Sequence, residues 1–147
     1  MEGISMRITT RGRYALRSSL ALAKLETKGS PVSISSLSEQ ENISSVFLEQ
    51  IFFKLRKAGI VNSIRGPGGG FCFAKPLSEL TVKQILEAAG EDLEITFCDK
   101  NSGNCDKIGE CLSHHVWLNV NELVKKYFAG ITLASILEKS GSSSGMP

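Results

Sequence analysis

The chain has 147 residues, of which 41% are hydrophobic and 22% charged, and its formal net charge is +2. That is the length of one ordinary domain with apolar content for one buried core. No run approaches the roughly 18 apolar residues of a membrane span, and the N-terminal stretch lacks the continuous apolar segment of a secretory signal, so a cytoplasmic domain is expected rather than a membrane protein, a secreted mini-protein or a disordered tail.

The first helix is capped by Thr9 or Thr10 and repeats Leu16, Leu20 and Ala23 on one face, with Gly29 and Pro31 beyond its end. After a short Val-Ser-Ile segment, Ser36 to Glu39 forms a capping box that opens a second, brief helix. Asn42 marks a turn and Ser44 caps a third helix. Its Leu48, Ile51, Phe52 and Leu55 recur at i, i+3, i+4 and i+7, an amphipathic stripe that Gly59 stops.

Ile60 to Ile64 reads as a strand, Gly66 to Gly70 as a turn, and Phe71 to Phe73 as a returning strand, together a hairpin with a glycine-rich tip. Thr81 and Gln84 box the start of a fourth helix, whose stripe is Val82, Ile85, Leu86 and Ala89 and whose end is Gly90. Residues 93–97 are extended and 98–111 form a polar loop. A long helix runs from about Leu112 to Phe128, with Val116, Val120, Leu123 and Tyr127 on one face. Gly130 closes it, Thr132 caps a last short helix, and a Gly/Ser-rich disordered tail follows over 140–147.

Charge is unevenly placed. Residues 1–83 carry 12 Lys/Arg against 6 Asp/Glu, a balance of +6, and residues 84–147 carry 5 against 9, a balance of −4. A basic half built of three helices and a hairpin has the element order of a winged helix-turn-helix, a mainly α fold, and is a candidate for a polyanion partner, with scattered surface charge as the alternative. The third helix is then the one that enters a major groove. Ser44, Ser45 and Gln50 can donate to phosphates or base edges, and Glu49, which phosphate repels, can accept from a cytosine amino group or simply support its own helix. Arg65 stands before the Gly66-Pro67-Gly68 turn, where glycine amides approach a phosphate closely and the guanidinium reaches a minor groove or clamps a phosphate. Arg7, Arg11, Arg13 and Arg17 either add backbone contacts or form a solvated face.

Three of four cysteines, Cys98, Cys105 and Cys111, fall within 14 residues, and His114 follows at three residues from the last. In a chain without an export signal such clustering points to metal more than to disulfides. The spacing matches neither the paired structural zinc pattern nor the common ferredoxin patterns, so zinc, an iron–sulfur cluster and redox thiols all stay open. Cys72, between two phenylalanines, reads as a small buried hydrophobe. Two adjacent histidines and no phosphate loop or nucleophile elbow argue against an enzyme or a small-molecule substrate.

Three stretches, MRITTRGRYAL, FLEQIFFKLRKAGIVNSIRGPGGGF and CLSHHVW, resemble the bacterial iron–sulfur regulator IscR and its relatives, which include NsrR and CymR. The resemblance runs from about Met6 to Leu137. It implies a dimeric winged-helix transcription factor that binds double-stranded DNA. By position it implies that Cys98, Cys105, Cys111 and His114 hold a [2Fe–2S] cluster, with a [4Fe–4S] cluster as the alternative that NsrR-like members bind. It also implies that Ser44, Glu49, Gln50, Arg65, Gly66 and Pro67 meet DNA and that the long helix is the dimerisation element. Two departures stand out: six residues rather than five separate the first two cysteines, and Val46 replaces a polar residue. The expected organisation is a DNA-binding domain over 6–90, a cluster loop over 91–111, the dimerisation helix and terminal helix over 112–139, and the tail.

Overall fold

The computed structural model describes residues 8–26, 29–95 and 111–142. Three helices, α1 (Thr10–Leu25), α2 (Ile34–Glu41) and α3 (Ser45–Lys57), are followed by an antiparallel hairpin of β1 (Val61–Ile64) and β2 (Gly70–Phe73). A 3-10 turn, α4 (Val82–Ala88), the long α5 (His114–Ala129) and α6 (Leu133–Ser142) complete the described chain. This is a mainly helical winged helix-turn-helix, as the order of elements predicts.

The core lies among α1, α2, α3 and the root of the hairpin. All four predicted residues of the α3 stripe, Leu48, Ile51, Phe52 and Leu55, are fully buried, and Leu22, Leu37, Val61, Leu80 and Ile85 close around them. Phe52 and Phe71 tilt against each other at 5.1 Å, which packs α3 onto the wing. The hairpin register pairs Val61 with Phe73 and Ile64 with Gly70. Val32 adds a bridge to Phe71, with both backbone hydrogen bonds at 2.9 Å, and Glu26 at the C-terminal cap of α1 accepts from Phe73 N at 2.8 Å. The wing therefore grows from a root fixed on α1 and on the approach to α2.

Several boundaries differ from the sequence expectation. Helix α2 is capped by Ser33, whose hydroxyl accepts from Ser36 N at 3.1 Å, and not by Ser36. The bridge at Val32 holds the chain extended up to Ser33, so the helix starts directly after it. On α1 the buried face is Ala15, Ser18, Ser19, Ala21 and Leu22, while Leu16, Leu20 and Ala23 are only partly covered. Small side chains let α2 and α4 approach closely there. Ser18 donates to the carbonyl of Tyr14 at 2.7 Å, so its hydroxyl is satisfied inside the core. The last helix continues through Ser142, into the segment expected to be disordered: its cap, with Thr132 Oγ1 accepting from Ser135 N at 3.0 Å, nucleates it, and propagation is cheaper than nucleation. Residues 143–147 lie outside the described residues.

The Thr81 and Gln84 capping box is formed in both directions. The C-terminal part returns to this point: Leu133 N donates to Leu80 O and Val82 N to Ile131 O, each at 2.9 Å. A second apolar cluster of Val82, Leu86 and Leu93, with Leu16, Phe128 and Ile136 against it, joins α4 to α5 and α6.

Candidate nucleic-acid interface and ligand cluster

Ser44, Ser45, Glu49, Gln50, Arg65, Gly66, Pro67 and Gly68 are all exposed, and they lie on two adjoining elements, α3 and the hairpin tip. Ser44 caps α3 and its oxygen accepts from Phe47 N at 3.3 Å, which leaves the hydroxyl hydrogen as an outward donor beside the helix N-terminus. A groove between α3 and the wing is lined by Glu49, Phe53, Arg56, Ser63, Arg65 and Phe71. Arg56 and Lys57 stand 5.8 and 5.7 Å from the centre of the Phe53 ring, so cations rim the groove. Glu49 is the carboxylate within it. The tip follows a left-handed path at Gly66 (φ 96°) and Gly68 (φ 76°), which L side chains rarely adopt, and the turn closes with Gly69 N donating to Gly66 O at 2.9 Å.

The arginines of α1 have structural partners. Arg17 pairs with Glu41 at 3.1 Å, donates to its carbonyl at 2.7 Å, and lies over the Tyr14 ring. Arg11 reaches the carbonyl of Gly90 at 3.5 Å and Arg13 the hydroxyl of Thr10 at 3.1 Å. Arg7 lies outside the described residues.

Of the predicted ligands, Cys111 and His114 are described, and Cys98 and Cys105 lie outside the described residues. Cys111 Sγ is 3.1 Å from Ser113 Oγ, and its carbonyl accepts from His114 N at 3.3 Å, which sets Cys111 in the turn that leads into α5 and His114 at the first residue of that helix. His114 is only 4% exposed, and neither ring nitrogen has a hydrogen-bond partner among the described residues. His115, one position on, is exposed. No group of three or more potential metal ligands exists among the described residues. Cys72 is half-buried rather than fully buried, and its thiol pKa is raised above the ordinary value, first by burial and then by the Glu26 carboxylate.

The family pattern of Rrf2, described as an iron-dependent transcriptional regulator, matches residues 8–139. The chain belongs to the Rrf2 family. It is 42% identical over 140 residues to a Neisseria meningitidis serogroup B chain named as an HTH-type transcriptional regulator, covering 95% of this chain and 93% of that one. It is 39% identical over 132 residues to the IscR regulator of Serratia proteamaculans, covering 90% and 79%. The structure of T. potens IscR superposes with a TM-score of 0.74 at 29% identity, covering 97% and 93%. The protein is thus an IscR-like, DNA-binding Rrf2 transcriptional regulator and not an enzyme. No helix among the described residues is long and apolar enough to cross a membrane.

In this Rrf2 regulator a segment that sequence reasoning missed ties the winged helix-turn-helix head, α1 to α3 with the hairpin, to α5. One oxygen of Glu91 accepts from Thr9 N at 3.1 Å, from Gly12 N at 2.9 Å and from the Thr9 hydroxyl, so a carboxylate from beyond α4 caps the N-terminus of α1. A side chain at position 12 would collide with Glu91. A few residues on, Glu94 pairs with Lys125, and Ile95 N donates to Asn121 Oδ1 at 2.8 Å on the buried side of α5. The only local hint was a lone glycine one turn into a helix, which costs helix stability unless something occupies the space of its missing side chain.

Proposed function

We propose that this regulator senses an iron–sulfur cluster and reads DNA as a two-fold dimer, controlling genes of cluster assembly or of a redox response. The observation that carries the cluster reading is His114. A buried imidazole with two unpartnered nitrogens is costly, and a ligating metal would satisfy one of them. The donor chemistry fits an iron–sulfur cluster: thiolates at Cys98, Cys105 and Cys111 and an imidazole at His114 are the soft and borderline ligands such a cluster takes. When bound, the cluster supplies a redox- and iron-dependent charge and crosslink at that place. The [2Fe–2S] form is preferred because His114 completes the set.

The chain's own residues do the rest. Cys111 lies in the turn before α5 and His114 opens that helix, and the segment Glu91–Ile95 spans from α5 to α1. A ligand held at Cys111 and His114 is thereby coupled to both α5 and the head. A ligand shifts such an equilibrium only by its differential affinity for the two arrangements. Val116, Val120, Leu123 and Tyr127 follow the 4-3-4 spacing of a coiled-coil seam, and Val116, Leu123 and Tyr127 are 53%, 66% and 67% exposed. That seam is the dimer interface of this reading. Arg65 and the Gly66-Pro67-Gly68 tip hold the flanking backbone or minor groove, and Ser44, Ser45, Glu49 and Gln50 enter the major groove.

The test is purification without oxygen, followed by visible absorbance and iron and acid-labile sulfide per chain. About two of each with a red-brown spectrum is expected for a [2Fe–2S] cluster, and Cys105→Ala abolishes both while the protein stays folded. An unchanged spectrum in Cys105→Ala removes that residue from the ligand set. A colourless protein that reconstitutes no cluster overturns cluster sensing in favour of zinc or thiol chemistry and leaves DNA binding standing.

A further inference from the structure

We infer that Val46 reads the 5-methyl group of a thymine in the major groove. The inference rests on the proposed placement of α3 against DNA and names one base feature that it recognises.

Val46 is 62% exposed, the most exposed large apolar side chain of the head among the described residues. It stands in the first turn of α3, directly after the cap Ser44 and Ser45. The first turn of a recognition helix is where side chains reach base edges. Val46 shares one shallow depression with Glu49, Gln50, Phe53 and Lys54. Its neighbours in that depression include polar residues that match donors and acceptors of base edges. Valine has neither donor nor acceptor, so it can hold no phosphate and no polar base edge. In the major groove the apolar feature a side chain can cover is the thymine methyl.

Two physical details favour the assignment over an idle surface residue. A β-branched side chain in a helix has one strongly preferred χ1 rotamer, so both methyls of Val46 are fixed before contact and little rotamer freedom is lost on binding. Gln50 lies at i+4 on the same face, and such positions are about 5–6 Å apart between Cβ atoms. Successive base pairs rise about 3.4 Å. The thymine read by Val46 is then one or two base pairs from the base read by Gln50, so the two side chains specify one short block of sequence.

The experiment uses the full chain purified without oxygen. Duplexes are selected from a random-sequence pool at fixed salt, and each thymine of the selected site is replaced in turn by deoxyuridine, which removes only the methyl. We expect one thymine in each half-site, within one or two base pairs of the position whose preference changes in Gln50→Ala, to weaken binding about fourfold when its methyl is lost. Val46→Ala, whose thermal unfolding matches the parent's, loses that sensitivity at that thymine alone. Val46→Thr, which retains one methyl, keeps most of it. Selection of a duplex whose binding is indifferent to every deoxyuridine, or a Val46→Ala protein with the parent's full sensitivity, overturns the assignment and leaves the DNA interface intact. Enrichment of no duplex overturns the interface and the assignment together.

Discussion

The winged helix-turn-helix head and α5 spend their apolar residues in opposite ways. In the head the stripe of α3 is wholly buried, and what it shows to solvent is mostly polar or cationic. Along α5 the predicted apolar stripe is largely exposed, whereas His114 and Asn121 are the residues of that helix that are buried. The head completes its core within one chain. Helix α5 is held to the head through Asn121, Lys125 and the second apolar cluster, and its seam faces outward, the face proposed above for the dimer. An exposed, regularly spaced apolar seam on a helix marks an interaction surface rather than scattered surface hydrophobes.

The contrast can be broken from the head first. Phe52→Ala removes a fully buried ring between α3 and the wing and should lower the stability of the head by about 3–5 kcal/mol, seen as a lower urea midpoint. A variant that unfolds at the parent's midpoint would mean that α3 is not the centre of the core. From the other side, Leu123→Ala should leave unfolding of the head unchanged while weakening self-association by roughly ten- to hundredfold, the scale of about 1.5–3 kcal/mol per buried side chain. Sedimentation equilibrium measures it, and an unmoved dissociation constant would remove Leu123 from the interface. The smallest effect is at the junction between the two regions. Glu91→Ala deletes the cap on α1 and should cost about 1 kcal/mol in thermal unfolding, with Glu91→Gln retaining part of it. No change in either variant would show that Glu91 bears no load.

The parts of this arrangement that sequence reasoning found are local ones. The α3 stripe, the Thr81 and Gln84 box, the turn at Asn42 and the glycine tip each depend on residues within a few positions of one another. The parts it missed depend on contacts made across the chain. The sequence reading caps α2 at Ser36, and the cap is Ser33 because Val32 pairs with Phe71 and holds the chain extended up to it. The buried face of α1 runs over alanines and serines because tight helix contacts select small side chains, whereas hydrophobicity alone picks Leu16 and Leu20. Glu91 and Thr9 are 82 positions apart, which no periodicity registers. At the candidate cluster site, residue types and order named Cys111 and His114, but the isolation of the imidazole in a buried setting became visible only with the fold.

The meeting of Gly12 and Glu91 also couples two distant positions. A Cβ at position 12 would fall on the Glu91 side chain as it stands, so a larger residue there makes that side chain swing aside and give up its bonds to Thr9 and Gly12. The helix propensity that alanine would add at position 12 is thereby set against loss of the carboxylate cap, and a change at either position is felt at the other.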